Sequence, residues 1–239
     1  MEFYDQLSVY YDYIFPAADQ TVKFLADNFG EPPQRLLDVA CGSGNYTLAM
    51  ARQGNNVTGV DLSERMVDLA REKAVEIEDV AFLPGDMRHL SDIGGHYQGV
   101  FCLGNSFVHL LNDQDMKQAL KSIRERLGKA GVLIMQTVNY DRILKFHVTQ
   151  LPPVKNDKVQ LVFKRYYDFR EDGLLDFRTV LEIPEGNFNN TVVLRPLLVG
   201  KMRNLLSACG FHLEAVCGGF DGRPHDAESP ATVVVAKRS

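Results

Sequence analysis

Hydrophobic and polar positions follow two alternating patterns over the first 140 residues. Short apolar runs at 35–40, 56–61, 80–83, 99–103 and 131–138 have the length and composition of buried strands. The segments between several of these runs carry apolar residues every three or four positions, which is typical of helices packed on one face. Strands that alternate with helices in this way predict a doubly wound, mostly parallel sheet.

Helix boundaries can also be predicted in this region. A short helix is expected over 46–53, and Ser63 is expected to cap a longer one. A third helix is expected to be capped by Asp113 and to end at Gly128. In a doubly wound sheet, ligands bind beyond the carboxyl ends of the strands, so the residues that follow each strand are the first candidates for chemistry.

After residue 139 the pattern changes to apolar and polar residues that alternate with period two. Residues 159–169 and 174–183 predict two antiparallel strands joined by a turn at 171–173, with a third candidate strand at 191–194. A helix that ends near Gly210 and strands at 211–217 and 231–237 then follow. The predicted fold class is therefore α/β, with a doubly wound, mostly parallel seven-stranded sheet and a small antiparallel β insert.

This pattern predicts one domain over residues 1–239 with four parts. The expected parts are an N-terminal helical lid, a core that binds the cofactor, an antiparallel insert that forms a wall of the acceptor pocket, and a C-terminal helix with strands that close the sheet. Their expected bounds are 1–30, 31–145, 150–195 and 196–239.

Composition narrows the class of protein. The 239 residues include 45% hydrophobic and 24% charged residues, as in ordinary globular proteins. With 26 Lys and Arg against 31 Asp and Glu, the net charge of -5 disfavours a nucleic-acid partner. No apolar run reaches the roughly 20 residues that span a bilayer, so a cytoplasmic protein without a membrane partner is expected. The four cysteines and six histidines lack metal-ligand spacing, and no metal site is expected.

The first strand runs into a glycine-rich turn that favours a nucleoside ligand. Gly42 and Gly44 lie at this turn, where the absence of a side chain lets a ligand lie against the backbone. Asp61 follows the second strand, 19 positions after Gly42, and can accept both hydroxyls of a ribose. Together these residues predict a ligand that carries a nucleoside.

The negative charge beside the turn distinguishes between nucleoside ligands that carry phosphate groups and those that carry a positive charge. Asp38 lies just before the glycines, and Thr47 stands where a dinucleotide fingerprint has its third glycine, so a pyrophosphate is disfavoured. No Gly-Lys-Ser/Thr follows, which excludes a Walker loop. A carboxylate at this position suits a ligand with an ammonium and a sulfonium, namely S-adenosylmethionine. Asp86 and Met87 after the third strand, and Leu103 with Asn105 after the fourth, add polar and soft groups at the same edge.

The segments DVACGSG, VTGVDLS, PGDM and FCLGNSFVHL together resemble those of class I S-adenosylmethionine-dependent methyltransferases. The resemblance spans roughly residues 3 to 237, and CLGNSFVHL with the later NYDRIL is similar to glycine N-methyltransferase and related small-amine enzymes. It implies S-adenosylmethionine as methyl donor and S-adenosylhomocysteine as product. The residues that it implies for the donor are Asp38, Cys41, Gly42, Gly44, Asp61, Leu62, Asp86, Met87 and Leu103.

The same resemblance implies that Asn105 helps to hold the acceptor near the methyl group. Where the glycine enzymes have an arginine before Asn-Tyr-Asp, this chain has Val138, which argues against glycine itself as the acceptor. Methyl transfer is an in-line displacement that depends mainly on position, and an amine acceptor must lose a proton. Candidates near the reacting atoms are Tyr11, Asn105 and His109, with Tyr10 as a further contact to the acceptor. His109 is otherwise a core or helix-end residue.

Other candidates have structural alternatives of similar weight. Tyr4, Tyr10, Tyr11 and Tyr13 either form a lid over the donor or pack as one face of an amphipathic helix. Arg165 shares an apolar strand face, where it either binds an acceptor carboxylate or extends past the sheet edge to solvent. Arg178 and Arg195 are rival carboxylate-binding residues.

The sequence therefore predicts a methyltransferase that acts on a small-molecule acceptor, with an amine nitrogen as the expected target. An O- or C-methyltransferase and a protein that binds the donor without catalysis are the alternatives. An NAD-dependent oxidoreductase is disfavoured by Asp38 and the missing third glycine, and a tRNA methyltransferase by the acidic charge balance. A homo-oligomer is possible.

Overall fold

The computed structural model describes residues 2–239, with side chains from residue 7 onward, and forms an α/β fold with two sheets. In these residues the helices are α1 (Glu2–Ile14), α2 (Asp19–Phe29), α3 (Asn45–Ala51), α4 (Glu64–Lys73), α5 (Asp113–Arg126), α6 (Tyr140–Lys145) and α7 (Val199–Ala208). The strands are β1 (Arg35–Val39), β2 (Asn56–Asp61), β3 (Val80–Pro84), β4 (Tyr97–Cys102), β5 (Leu127–Val138), β6 (Gln150–Asn156), β7 (Leu161–Phe169), β8 (Leu175–Ile183), β9 (Gly186–Leu194), β10 (Phe211–Cys217) and β11 (Ala231–Arg238).

The large sheet has seven strands in the order β10-β11-β5-β4-β1-β2-β3. Strands β1 to β5 pair in parallel, whereas β11 pairs antiparallel with both β5 and β10. The carboxyl ends of β1, β2, β3, β4 and β5 therefore meet at one edge of the sheet. The predicted fold class, including the seven strands and the antiparallel insert, is confirmed.

Each face of the large sheet buries a separate apolar cluster. One cluster packs α5 and α7 on the sheet through residues such as Met116, Leu120 and Leu205. The cluster on the other face packs α2 on it through Leu25 and Phe29. Burial of apolar surface stabilises by roughly 25 cal/mol per Å², so both clusters stabilise the packing of the helices on the sheet.

The small sheet is formed by β6 to β9 in consecutive antiparallel order. It contains the three strands predicted after residue 139 and a fourth, β6, that the sequence pattern did not predict. Pro152 and Pro153 lie within β6. Because proline cannot donate to a strand ladder, it is confined to edge strands, and β6 occupies the edge of this sheet.

Several predicted helix ends need correction. Ser63 does cap α4, since its Oγ accepts a hydrogen bond from the Met66 N–H. The cap of α5 is Asn112 rather than Asp113, because the Asn112 side chain accepts from Asp115 N at 2.8 Å. Gly128 lies inside β5 rather than at a helix end, as the chain passes directly from α5 into that strand.

Candidate functional site

Two neighbouring cavities open along the carboxyl edge of the parallel strands. The first, the Asp86 cavity, has a volume of about 500 Å³ and lies between the ends of β2 and β3 and the segment that follows β4. The second, the Asp38 cavity, has a volume of about 310 Å³ and lies between the ends of β1, β4 and β5 and helix α1. Ala40 lines both cavities, so they form the two ends of one elongated crevice.

The glycine-rich turn borders the Asp38 cavity through Cys41 and Asn45, whereas Gly42 and Gly44 are not among the residues that line either cavity. Gly42 and Gly44 have φ angles of 55° and 77°, in the left-handed region that favours glycine. A Cβ atom on Gly42 would lie 2.7 Å from Tyr11 Oη, and one on Gly44 would lie 2.6 Å from the Phe82 ring. The backbone conformation therefore favours glycine at both positions, and the packing of Phe82 also leaves no room for a side chain at Gly44.

Asp38 is a buried carboxylate at the end of β1. Its Oδ2 accepts a hydrogen bond of 2.6 Å from Thr47 Oγ1. Burial raises the pKa of Asp38 to about 7, and the negative charge of Asp61 adds to this rise, although the Thr47 hydrogen bond opposes it. A carboxyl group with this pKa gains strongly from a nearby cation, which would favour its charged form.

Asp61 lies at the end of β2, where the two cavities approach each other. Its two carboxylate oxygens accept hydrogen bonds from Gly42 N at 2.8 Å and Ser63 N at 2.9 Å. Burial nevertheless raises the pKa of Asp61. Each oxygen keeps a second lone pair, so the carboxylate can still accept hydroxyl donors from a ligand.

Asp86 and Met87 line the first cavity, together with Leu62, whose side chain is 74% exposed. Arg88 binds Asp86 through its backbone N–H and its guanidinium, and it also contacts Asp115 at 3.3 Å. The Arg88 hydrogen bonds hold the pKa of Asp86 below its usual value. Asp86 is therefore a fixed carboxylate in the wall of this cavity.

Asn105 follows β4 and has a left-handed φ of 72°. Its Oδ1 accepts from Val138 N at 3.1 Å, and its amide exchanges a hydrogen bond with the Tyr140 hydroxyl. Tyr140 packs edge-to-face on Tyr167 of the small sheet, with ring centroids 6.2 Å apart. Asn105 thus connects the end of β4 to the end of β5 beside the crevice.

His109 and Leu103 lie on opposite sides of the crevice. His109 lines the Asp86 cavity, where desolvation lowers the pKa of its imidazole. Leu103 and Cys41 line the Asp38 cavity. Burial raises the pKa of the Cys41 thiol well above its usual value, so this side chain acts as a neutral wall residue.

Helix α1 covers the Asp38 cavity and separates the predicted tyrosines. Tyr11 lines that cavity, and burial raises its pKa, with further contributions from Asp61 and Cys41. Tyr10 instead donates to Glu185 at 3.1 Å, on the side of the small sheet and away from the crevice. Tyr13 is 46% exposed, and the side chain of Tyr4 lies outside the described residues.

Asp12, next to Tyr11, fastens α1 to the glycine-rich turn. Its carboxylate accepts from Ser43 Oγ at 2.5 Å, Asn45 Nδ2 at 2.9 Å and Lys73 Nζ at 2.8 Å. Burial alone would raise the pKa of Asp12, but these partners outweigh it and lower the pKa. Asp12 was not predicted as a site residue, because no local pattern indicates that α1 meets the turn.

The predicted arginines do not converge on the crevice. Arg165 is half-buried on β7, and its Nη2 donates to Pro152 O at 2.8 Å. Arg178 lies on the other face of the small sheet, where it pairs with Asp168 at 3.2 Å and covers the Tyr166 ring. Arg195 pairs with Asp113 at 2.7 Å. The period-two alternation of β8 accounts for the outward position of Arg178, and neither cavity is lined by any of the three.

Among the residues of the Asp38 cavity that were not predicted as site residues are Gln136 near the end of β5, Tyr46 on α3, and Phe220 in the loop between β10 and β11. Gln136 could have been singled out as the polar residue near the end of an otherwise apolar strand. Phe220 packs against Phe24 with ring centroids 5.5 Å apart. Its approach depends on the antiparallel return of β11 beside β5, which no local signal indicates.

Comparison with known proteins identifies the family. A family model described as a methyltransferase domain matches residues 36–131. The glycine/sarcosine N-methyltransferase of Halorhodospira halochloris is 30% identical over 210 residues, covering 85% of this chain and 75% of that protein. That of Aphanothece halophytica is 30% identical over 209 residues, covering 86% and 76%.

A solved structure shares the whole fold. It is an S-adenosylmethionine-dependent methyltransferase from Clostridium acetobutylicum ATCC 824, with a TM-score of 0.84, 16% identity, and 99% coverage of both chains. The fold and the relatives together define a class: this chain belongs to the class I S-adenosylmethionine-dependent methyltransferases. The protein is an enzyme whose methyl donor is S-adenosylmethionine. No helix in residues 2–239 is long and apolar enough to cross a membrane.

Proposed function

We propose that this enzyme transfers a methyl group from S-adenosylmethionine to the nitrogen of a small amine. The observation that carries the proposal is the pairing of two cavities at Ala40, one with the uncompensated carboxyl of Asp38 and the other with Asp61 and Asp86 beside it. This arrangement suits a donor that has a cationic amino-acid end and a nucleoside end. The donor supplies an activated methyl group together with its leaving group.

The chain's own residues would hold the two ends of the donor. In this assignment Asp38 and the backbone of Gly42 and Gly44 bind the methionyl part, with Cys41 and Leu103 as walls. Asp61 accepts the ribose hydroxyls. Leu62, Asp86 and Met87 surround the adenine. Helix α1 places Tyr11 over the methionyl part and excludes water from it, which preserves the electrostatic attraction between Asp38 and a cation.

A nitrogen acceptor is supported by the relatives, which are named as glycine/sarcosine N-methyltransferases. Asn105 would act as a positioning residue, because its amide fixes the segment after Leu103 against the end of β5. His109 lines the Asp86 cavity, which is assigned to the nucleoside end of the donor. A role for His109 as the proton acceptor is therefore less well supported than the positioning role of Asn105.

The domain parts take roles in the same proposal. In this proposal residues 1–30 form the lid, 31–145 the donor-binding core, and 196–239 the closing segment that contributes Phe220. The insert 150–195 was predicted to form a wall of the acceptor pocket, but none of its residues lines either cavity, and it approaches the site through Tyr167, which packs on Tyr140. A cytoplasmic location and a homo-oligomer stay predictions.

The test is calorimetric titration with S-adenosylmethionine and S-adenosylhomocysteine, followed by an acceptor screen with methyl-labelled donor. We expect micromolar donor binding and labelled product from at least one small amine. Asn105→Ala should lower turnover about tenfold or more while donor affinity changes less than about twofold. Label found only on oxygen or carbon would favour an O- or C-methyltransferase. Tight donor binding without any product from a broad screen would favour a non-catalytic binding protein.

A further inference from the structure

Gln136 is the polar side chain that β5 presents to the Asp38 cavity. Strand β5 pairs with β4 so that Cys102 lies beside Met135, which brings Gln136 next to Leu103 and Gly104. All three of these residues line the cavity, together with Phe220. Gln136 is half-buried, and the proposed donor residue Asp38 lies across the same cavity.

The amide of Gln136 has a fixed orientation. Its Oε1 accepts a hydrogen bond of 2.8 Å from Gly104 N. A backbone N–H can only donate, so the oxygen of the amide must face Gly104 and the nitrogen must face away. In the described part of the chain, the two hydrogens of Nε2 have no protein acceptor, unlike the oxygen. Gln136 therefore offers two fixed hydrogen-bond donors to whatever occupies its side of the cavity.

Because the Gln136 amide is an uncharged hydrogen-bond donor, it restricts which atoms of a ligand it can bind. A hydrogen bond donated by Gln136 to the attacking nitrogen would occupy the lone pair that has to attack the methyl group. Productive binding therefore requires that Gln136 contacts another atom of the methyl acceptor. Amide hydrogens prefer oxygen acceptors, whether carboxylate, carbonyl or hydroxyl. Because Gln136 is uncharged, it can bind such an oxygen without forming an ion pair with Asp38, which a lysine or arginine at this position would do.

We propose that Gln136 binds an oxygen of the methyl acceptor and thereby selects small amines that carry a carboxylate, carbonyl or hydroxyl group close to the nitrogen. This inference rests on the proposed N-methylation and names the acceptor class for the same site. The aromatic side chains of Tyr46 and Phe220 complete the cavity wall and suit the carbon skeleton and the amine. Gln136 would thus bind the acceptor oxygen, a role that was predicted for Arg178 and Arg195 but that these residues cannot fill because neither lines the crevice.

The test uses two variants with a matched control. Gln136→Glu keeps an oxygen for Gly104 N but replaces the two donors with a carboxylate, and Gln136→Leu removes both functions. Gln98→Glu is the control, because Gln98 Oε1 also accepts from a backbone N–H, that of Arg35 at 2.8 Å, but at the opposite end of the sheet. The probes are sarcosine, ethanolamine and glycinamide, with propylamine as the amine without oxygen.

Each probe is titrated into the complex with S-adenosylhomocysteine, and its methylation is assayed separately. For the wild type and Gln98→Glu we expect at least one oxygen-bearing amine to bind and react about tenfold or more better than propylamine. Gln136→Glu and Gln136→Leu should lose that preference through a raised KM, with affinity for S-adenosylhomocysteine changed less than about twofold.

Other outcomes separate the two proposals. If the wild type binds no oxygen-bearing probe better than propylamine, or if both Gln136 variants keep the preference, the role of Gln136 is overturned. If the Gln136 variants lose S-adenosylhomocysteine instead, Gln136 belongs to the donor site and the proposal is wrong. If an oxygen-bearing probe binds through Gln136 but its nitrogen is never methylated, the N-methylation proposal fails while the contact to Gln136 stands.

Discussion

The charged side chains of Asp38 and Asp61 at the large sheet differ from those on the outer face of the small sheet in whether they have a partner of opposite charge. At the carboxyl edge of the large sheet, the buried Asp38 and the half-buried Asp61 have raised pKa values and no ion-pair partner among the described side chains. On the small sheet, Lys164 pairs with Glu182 at 2.5 Å and Arg178 with Asp168 at 3.2 Å, both accessible to water. Uncompensated burial is costly, whereas exposed pairs contribute about 0–1 kcal/mol each.

This difference separates a binding edge from a supporting wall. Buried acids without a charged partner are typical of sites where a bound ligand supplies the opposite charge, whereas Lys164 and Arg178 already have acidic partners. The small sheet still contributes to the site indirectly, since Tyr167 packs on Tyr140, which in turn contacts Asn105. Variants at the two sheets should therefore differ sharply in their effect on the donor.

Asp61→Ala should have the largest effect. Removal of the carboxylate should weaken S-adenosylhomocysteine binding by about 100-fold, or roughly 2.7 kcal/mol, because two charge-assisted hydrogen bonds to the ribose are lost. Calorimetric titration measures the change. Asp79→Asn is the control, as Asp79 lies outside both cavities and contacts Asn56 at 3.4 Å. Wild-type affinity in Asp61→Ala would remove Asp61 from the donor site, and Asp61→Asn covers the case that the alanine variant does not fold.

Asp38→Asn should have the next largest effect on the donor, about a tenfold loss of affinity, because the attraction to its cationic end disappears. In the wild type, donor binding should release a proton from Asp38 below pH 7, so affinity should rise between pH 5 and about 7. In the variant this rise should be absent. Calorimetry in buffers of different ionisation enthalpy measures the proton release, and a release that persists in Asp38→Asn would assign it to another group.

The same substitution should raise stability. The pKa of Asp38 is about 7 in the fold, against 3.8 for the unperturbed group, so the folded state holds a proton that the unfolded state loses over this range. The contribution of this group to stability is present below about pH 4 and is lost as the pH rises to 7. Asp38→Asn should therefore increase the free energy of unfolding at pH 8 by a few kcal/mol, on the order of 3, with little change at pH 4. Urea unfolding at both pH values tests this expectation.

Asp12→Asn should have a moderate effect on kinetics. The substitution removes the negative charge that holds Lys73 at 2.8 Å and fastens α1 to the glycine-rich turn. We expect S-adenosylhomocysteine to dissociate roughly three- to tenfold faster, as the lid opens more often, with about 1 kcal/mol lost in stability. Stopped-flow displacement measures the rate, and Asp92→Asn serves as an exposed control. An unchanged dissociation rate would mean that α1 is a fixed part of the fold.

Arg178→Ala should have the smallest effect, less than about twofold on turnover and on donor affinity, with at most about 1 kcal/mol of stability lost. Its partners, Asp168 and Tyr166, both lie on the outer face of the small sheet. Steady-state kinetics and thermal unfolding provide the check. A tenfold rise in the KM of an acceptor would overturn the contrast between the two sheets, because it would place an outer charge in the acceptor site.

Much of the fold follows from local patterns. The parallel strands, the turn with Gly42 and Gly44, and the cap at Ser63 are specified by apolar runs, positive φ angles and short-range hydrogen bonds, all readable along the chain. Strand β6 was missed because Pro152 and Pro153 oppose strand propensity, and only the partner strand β7 makes this edge possible. The α5 cap shifted by one residue because Asn112 and Asp113 both suit that position.

The candidate site divides in the same manner. Asp38, Asp61, Asp86 and Leu103 could be predicted because parallel strands deliver their last residues to one edge. Tyr10 and Tyr11 could not be told apart, since adjacent residues of a helix point about 100° apart and the docking of α1 decides which one meets the turn. Arg178 was wrongly expected near the acceptor. The sheet face on which its side chain lies depends on the register of β8 with β7, which the sequence alone does not give.

The sequence by itself determined the class of this enzyme, because the apolar runs, the glycine-rich turn and the spacing of the acids are local features of the chain. Only the tertiary structure decided how that edge is closed. The antiparallel return of β11 brings Phe220 to the cavity, Gly104 fixes the amide of Gln136, and Asp12 binds α1 to the turn. The hydrogen bonds of Asp12 and Gln136 join residues 31 and 32 positions apart, and Phe220 packs on the distant Phe24, so these contacts depend on packing and not on neighbouring residues.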